Sequence, residues 1–137
     1  MRFEFTSLPT QKGEGAFMPF LPLTLSLEER ELKTHGLLDT GSTVNVLPFS
    51  TGLELGLIWE EQKMPLRLGG NLSAFEACIV FVNAFIEGCP QTELAFAWTK
   101  ADNIPLLLGQ TNFFMEFDVF FSRSAMFFEV MPKGAKL

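Results

Sequence analysis

Tyrosine is absent, histidine occurs once (His35), and the only cysteines among 137 residues are Cys78 and Cys89. Without a phenol, no tyrosine hydroxyl can serve as a general acid. One histidine and two separated thiols make no set of zinc ligands, and two cysteines make no disulfide framework. A reduced, cytoplasmic setting is the expectation. Lys and Arg number 10 against 16 Asp and Glu, for a formal net charge of −6 with no basic cluster. A nucleic-acid partner needs cations against its phosphates, so none is expected. No uninterrupted apolar run reaches the ~18–20 residues that cross a bilayer, so no membrane partner is expected either. Met1-Arg2-Phe3-Glu4-Phe5 lacks the apolar stretch of a signal peptide. Asp is scarce too: Asp39, Asp102 and Asp118 are the only three.

What is plentiful is core material. Hydrophobic residues make up 47% of the chain and charged residues 19%, with 16 Phe. A chain of this length buries about two-thirds of its unfolded surface, enough for one domain (1–137) without metal or disulfide staples. The patterning is mainly that of strands. Residues 17–27 form a strand that begins as an edge, because Pro19 and Pro22 lack the N–H of a central strand. A charged turn at 28–31 leads to a return strand over 32–38. Val44, Val46 and Leu47 start a short strand that Pro48 stops, followed by a short helix within 49–56. Met64–Leu68 reads as a strand ending in the turn Gly69-Gly70-Asn71. Residues 74–86 are apolar on both faces, which predicts a strand covered on both sides or one that bends between layers. Strands over 93–98 and 104–108 follow, then helical turns within 110–116. A hairpin of 117–121 and 125–131 closes the chain. Overall this is a mainly β protein with one or two short helices, one of them near the C-terminus.

The segment that carries chemistry is Gly36-Leu37-Leu38-Asp39-Thr40-Gly41-Ser42-Thr43-Val44. An acid at the end of a buried strand is costly unless hydrogen bonds hold its charged form. Gly41 can turn its N–H towards the carboxylate, and Ser42 can offer a hydroxyl to one of its oxygens. Three letters alone are equally compatible with an ordinary turn between strands. A second element, Leu106-Leu107-Leu108-Gly109, lies 70 positions after Asp39, counted to Gly109. Between the two stands Gly69-Gly70-Asn71.

Taken in this order, the three elements resemble the retropepsin-like aspartic proteases: the Asp-Thr-Gly loop, a glycine-tipped flap, and an apolar pair followed by Gly and a short helix. The resemblance spans residues 22–131 and implies a closed, barrel-like acid-protease fold. It implies that Asp39 is the catalytic acid of an endopeptidase. Thr40, Gly41 and Ser42 would support its loop, Gly69, Gly70 and Asn71 would meet substrate from the flap, and Leu107, Leu108 and Gly109 would form the second-signature loop. Neither Asp102 nor Asp118 is followed by Thr-Gly, so the second carboxyl of the pair would come from another chain in a homodimer. By the same resemblance, Arg2–Ser7 and 128–137 would interleave between subunits. An extended peptide would be the substrate, and no metal or organic cofactor is required. The resemblance implies Arg where Gln110 stands, so the ion pair that would brace the loop is not expected here, while the catalytic acid is unaffected. A weakly active peptide-binding scaffold of the same fold is the alternative function. An unrelated barrel for a small apolar ligand would leave the paired elements unexplained. His35 reads as an ordinary surface or structural residue. Trp59 and Trp98 would cap apolar layers or line a subsite.

Overall fold

The computed structural model describes residues 1–7 and 16–135; Lys136 and Leu137 of the C-terminal segment lie outside the described residues. Ten strands and two short helices run in the order β1 (Arg2–Glu4), β2 (Phe20–Leu27), β3 (Arg30–Leu38), β4 (Val46–Leu47), α1 (Phe49–Glu54), β5 (Pro65–Leu66), β6 (Ala77–Phe85), β7 (Thr92–Thr99), β8 (Leu106–Leu108), α2 (Phe113–Glu116), β9 (Phe117–Ser122) and β10 (Phe127–Pro132). Single turns of 3-10 helix occupy Trp59–Glu61 and Gly70–Leu72.

Six strands close a barrel in the order β2-β3-β8-β4-β7-β6, with β6 returning to pair β2 and β5 attached to its outer edge. Alternation explains its interior. Leu21, Leu23 and Leu25 of β2, Cys78, Val80, Val82 and Ala84 of β6, and Leu94, Phe96 and Trp98 of β7 are all buried in one core. Each large apolar side chain so buried contributes about 1.5–3 kcal/mol relative to exposure. Pro22 is tolerated for the expected reason. β6 pairs β2 only at Thr24–Ser26, so the proline lies where β3 is the sole neighbour. The two-sided covering expected of residues 74–86 holds only at Ala77 and Cys78, which are buried in two different clusters. One face of β6 fills the barrel, while on the other Phe81 is 48% and Phe85 50% exposed. Continuous apolar runs fit a covered strand, but past Ala77 only the even-numbered positions are buried.

β1, β10 and β9 make a separate three-stranded sheet in that order. It joins the two ends of the chain. Arg2, Phe3 and Glu4 pair with Glu129, Phe128 and Phe127 of their own chain, and β9 takes the other side of β10. Within this chain both edges of β10 are occupied. Cys78 and Cys89 are both buried and unbridged. Burial pushes both thiols up, partly opposed at Cys89 by the N-terminal ammonium, so they are neutral core fillers at physiological pH.

Trp98 anchors α1 to the barrel. It is fully buried, stacks on Phe49 at 5.5 Å, meets Trp59 edge-on at 5.1 Å and donates its indole N–H to the Phe49 carbonyl at 3.1 Å. Gly52, inside α1, lies flat on that indole: a Cβ there would come within 2.8 Å of Trp98 Cδ1 and closer still to Nε1 and Cε2. Helix propensity alone favours Ala over Gly by roughly 1 kcal/mol. Overpacking against a ring that cannot retreat outweighs this gain, at about 1–3 kcal/mol or more. Gly52→Ala is therefore expected to lower the urea midpoint; an unchanged or raised midpoint would show that α1 can slide off Trp98.

Candidate active site

The strand order β3-β8-β4 determines the geometry of the Asp39 loop. β3 and β8 run parallel, with Leu37 opposite Leu107 and Leu38 opposite Leu108, while β4 returns antiparallel to β8 through Val46 and Leu107. The chain from β3 to β4 must therefore arch over the end of β8. Residues 39–45 are that arch, and Gly109 lies beneath it.

Asp39 is half-buried at the end of β3, its N–H donating to the Leu108 carbonyl at 3.0 Å. Its carboxylate Oδ1 accepts the Gly41 N–H at 2.9 Å, and its carbonyl accepts the Ser42 N–H at 3.0 Å. The expected turn of Gly41 towards the acid is thus present. Ser42 differs from expectation: its hydroxyl donates to the Val44 carbonyl at 2.7 Å and not to the carboxylate. The arch places that backbone acceptor two residues on, within easy reach of a short side chain. Thr40 and Gly41 are exposed, leaving this side of the acid open to solvent.

The two signature segments zip together beyond the arch. Gln110 N–H donates to Ser42 O and Thr111 N–H to Thr43 O, both at 2.9 Å, and Asn45 N–H donates to Thr111 O at 3.1 Å. The Gln110 side chain also reaches the arch: its Nε2 donates to the Thr40 carbonyl at 2.9 Å. Leu108 and Gly109 are buried, and Leu107 is half-buried on the opposite side of β8.

Asn45 was not singled out in the sequence, yet it is fully buried. Its Oδ1 accepts the Gly109 N–H at 2.8 Å, and its Nδ2 donates to the Ala95 carbonyl and to Asn112 Oδ1, each at 2.9 Å. Asn112 Oδ1 also accepts the Ala95 N–H at 3.1 Å. One amide within Val44–Leu47 was the available signal, because a polar group buried among apolar neighbours is almost always satisfied by specific partners.

The remaining acids are engaged elsewhere. Asp102 accepts the backbone N–H and hydroxyl of Ser50 at 3.1 and 3.0 Å, and Asp118 accepts the Gly134 N–H at 3.3 Å. His35 is exposed on β3 opposite Pro22. Among the described residues no three His, Cys, Asp or Glu side chains converge on a point that could hold an ion.

Gly69, Gly70 and Asn71 are exposed at the tip of the β5–β6 hairpin, with Gly70 at φ +62°. The strand before them is shorter than expected, only Pro65–Leu66, because the chain curls into the 3-10 turn at Gly70–Leu72. Leu68 and Leu72 on either side of the tip join Val44, Val46, Ala97 and Leu107 in a second apolar cluster. The hairpin is thereby tied to the wall beside the arch. A cavity of about 660 Å³ is lined by Trp59, Lys63, Arg67, Phe75 and Cys78 and does not include Asp39. Trp59 thus borders this separate cavity, and Trp98 belongs to the core.

No protein-family model and no curated protein matches this sequence. Solved structures do resemble its fold. A retropepsin-like aspartic protease from Rickettsia conorii superposes with a TM-score of 0.58 at 13% identity, covering 95% of this chain and 94% of that one. The EIAV protease, in complex with the inhibitor HBY-793, gives 0.54 at 16% identity over 76% of this chain and 88% of that chain. The fold is that of the retropepsin-like aspartic proteases. Within a retropepsin-like barrel, the arch over β8 is the feature that brings the Asp39 and Gly109 segments together.

The Asn45 network makes a direct prediction. Asn45→Ala would strand the Gly109 N–H and the Ala95 carbonyl in a dry interior, each at a cost of about 1–3 kcal/mol. A loss of at least about 2 kcal/mol in chemical denaturation is expected. A near-neutral variant would mean that the two segments hold together through their backbone bonds alone.

Proposed function

We propose that the protein is an aspartic endopeptidase whose site is completed by a second copy of the chain. The observation that carries this reading is the disposition of its acids. Asp39 alone sits on the arch, oriented by Gly41 in a retropepsin-like fold, while Asp102 and Asp118 are engaged at other surfaces. Aspartic proteolysis needs two carboxyls sharing one proton, since like charges a few ångströms apart resist ionising together. A two-fold axis beside the exposed Thr40 and Gly41 would supply the second Asp39.

In this mechanism one Asp39 is ionised and acts as general base towards a water held between the pair. The other is protonated and polarises the scissile carbonyl, and the roles exchange as the amine departs. Thr40 bonds across the axis, and Gly41 presents backbone groups to the dyad and the substrate. The β5–β6 hairpin serves as the flap. An extended peptide pairs with it by strand addition, its apolar side chains entering the Val44–Leu107 cluster. Ser42 supports the arch: its hydroxyl bonds the Val44 carbonyl, its N–H bonds the Asp39 carbonyl, and its hydroxyl makes no hydrogen bond to the carboxylate.

Two experiments test the proposal. Asp39→Asn keeps nearly the same shape but cannot act as the base, so turnover should fall by at least about a thousandfold with the circular dichroism unchanged. Persistent cleavage by the purified variant would move the chemistry to another residue. A wild-type protein that binds peptide without cleaving it would be the scaffold alternative. Sedimentation across micromolar concentrations should reveal a monomer–dimer equilibrium, with specific activity rising as dimer forms. A strict monomer that hydrolyses peptide would end the two-chain mechanism.

A further inference from the structure

The arch is gripped twice by one residue. Gln110 donates its backbone N–H to Ser42 O at 2.9 Å and its side-chain Nε2 to Thr40 O at 2.9 Å. These two acceptors flank Gly41, whose own N–H binds Asp39 Oδ1 at 2.9 Å. The Thr40 carbonyl and the Gly41 N–H belong to one planar peptide unit, so holding the Thr40 oxygen sets the direction of the Gly41 N–H, while the bond to Ser42 O fixes the far side of Gly41.

The anchor itself is firm. Gly109, immediately before Gln110, donates to the buried Asn45 Oδ1 at 2.8 Å, and Thr111, immediately after, donates to Thr43 O at 2.9 Å. The arch apex is not firm on its own. Among the hydrogen bonds of the described residues, the Gln110 side chain is the one that reaches Thr40. Glycine next in line leaves that apex with little intrinsic stiffness.

We infer that Gln110 is a positioning residue: its neutral amide clamps the Thr40 carbonyl and thereby aims the Gly41 N–H at the Asp39 carboxylate. This inference rests on the proposed activity only for its kinetic consequence. An exposed hydrogen bond of this kind adds little to global stability. Its effect is felt where a small misplacement of a reacting group is costly.

The full-length chain with Gln110→Met keeps the side chain's length and removes the donor; Gln110→Arg restores a donor of sufficient reach. With Met, kcat on a peptide substrate should fall about tenfold while KM and the thermal unfolding midpoint stay put, the equivalent of one hydrogen bond lost only at the reacting centre. Gly41 amide exchange should accelerate in the same variant. Arg should recover most of the rate and the protection. Wild-type kcat and wild-type Gly41 exchange in Gln110→Met would overturn the inference, as would an Arg variant no better than Met. A lowered midpoint with unchanged Gly41 exchange would also overturn it, marking the residue as structural. If the wild type shows no turnover, the proposed proteolysis fails by itself. Gly41 exchange, which needs no substrate, then decides the clamp: faster with Met and restored with Arg upholds it, and no change refutes it.

Discussion

Gly109 passes under the Asp39 arch with nothing between the two backbones. A Cβ at this position would lie 2.7 Å from the Ser42 carbonyl oxygen and nearer still to that of Val44. The whole site depends on this contact. Because the backbones approach so closely, Gln110, Thr111 and Asn45 can exchange direct hydrogen bonds across the gap. Any larger residue would force the arch away from β8 and break these bonds together. The glycine's value here lies in close approach rather than in an unusual backbone angle.

The close approach follows from topology. β8 lies between β3 and β4, so the connection from β3 to β4 has to cross its end. A crossing loop normally leaves backbone groups without partners. Here they are absorbed by the segment below and by the buried Asn45, whose oxygen and nitrogen reach Gly109, Ala95 and Asn112. The acid is held in place by neutral groups throughout: a backbone N–H on its carboxylate, an amide below the arch and another at its apex. A neutral scaffold orients the carboxylate without adding a fixed charge beside it.

The terminal sheet joins the two ends of the chain. β1 satisfies its backbone on β10 of its own chain, with Arg2 also paired to Glu129 at 3.0 Å and placed 3.9 Å from the centre of the Phe127 ring. A surface pair of this sort adds little by itself. Buried Phe5 and Phe128 on the core side, with rings 6.0 Å apart, supply the larger contribution.

Strand periodicity was legible in the residues themselves. Leu21, Leu23 and Leu25 alternate with Pro22, Thr24 and Ser26, Pro22 marks the stretch of β2 that β3 alone pairs, and Gly69-Gly70-Asn71 marks a hairpin tip. The Asp39 and Gly109 segments were legible for the same local reason: an acid and glycines inside apolar runs are uncommon unless backbone geometry needs them. Other features depended on neighbours far away in sequence. Asn45 gains its role only when Gly109, Ala95 and Asn112 fold around it. Ser42 turned to Val44 because the arch put a carbonyl nearer than the carboxylate. Phe81 and Phe85 lie on the open side of β6 because barrel closure gives that strand a single inner face. Residue types and their alternation thus determined which segments become strands and where the acid stands, since those follow from local backbone and hydrophobic preferences. The partner of each polar group was decided by the β3-β8-β4 order, because a hydrogen bond requires proximity that only the closed barrel creates.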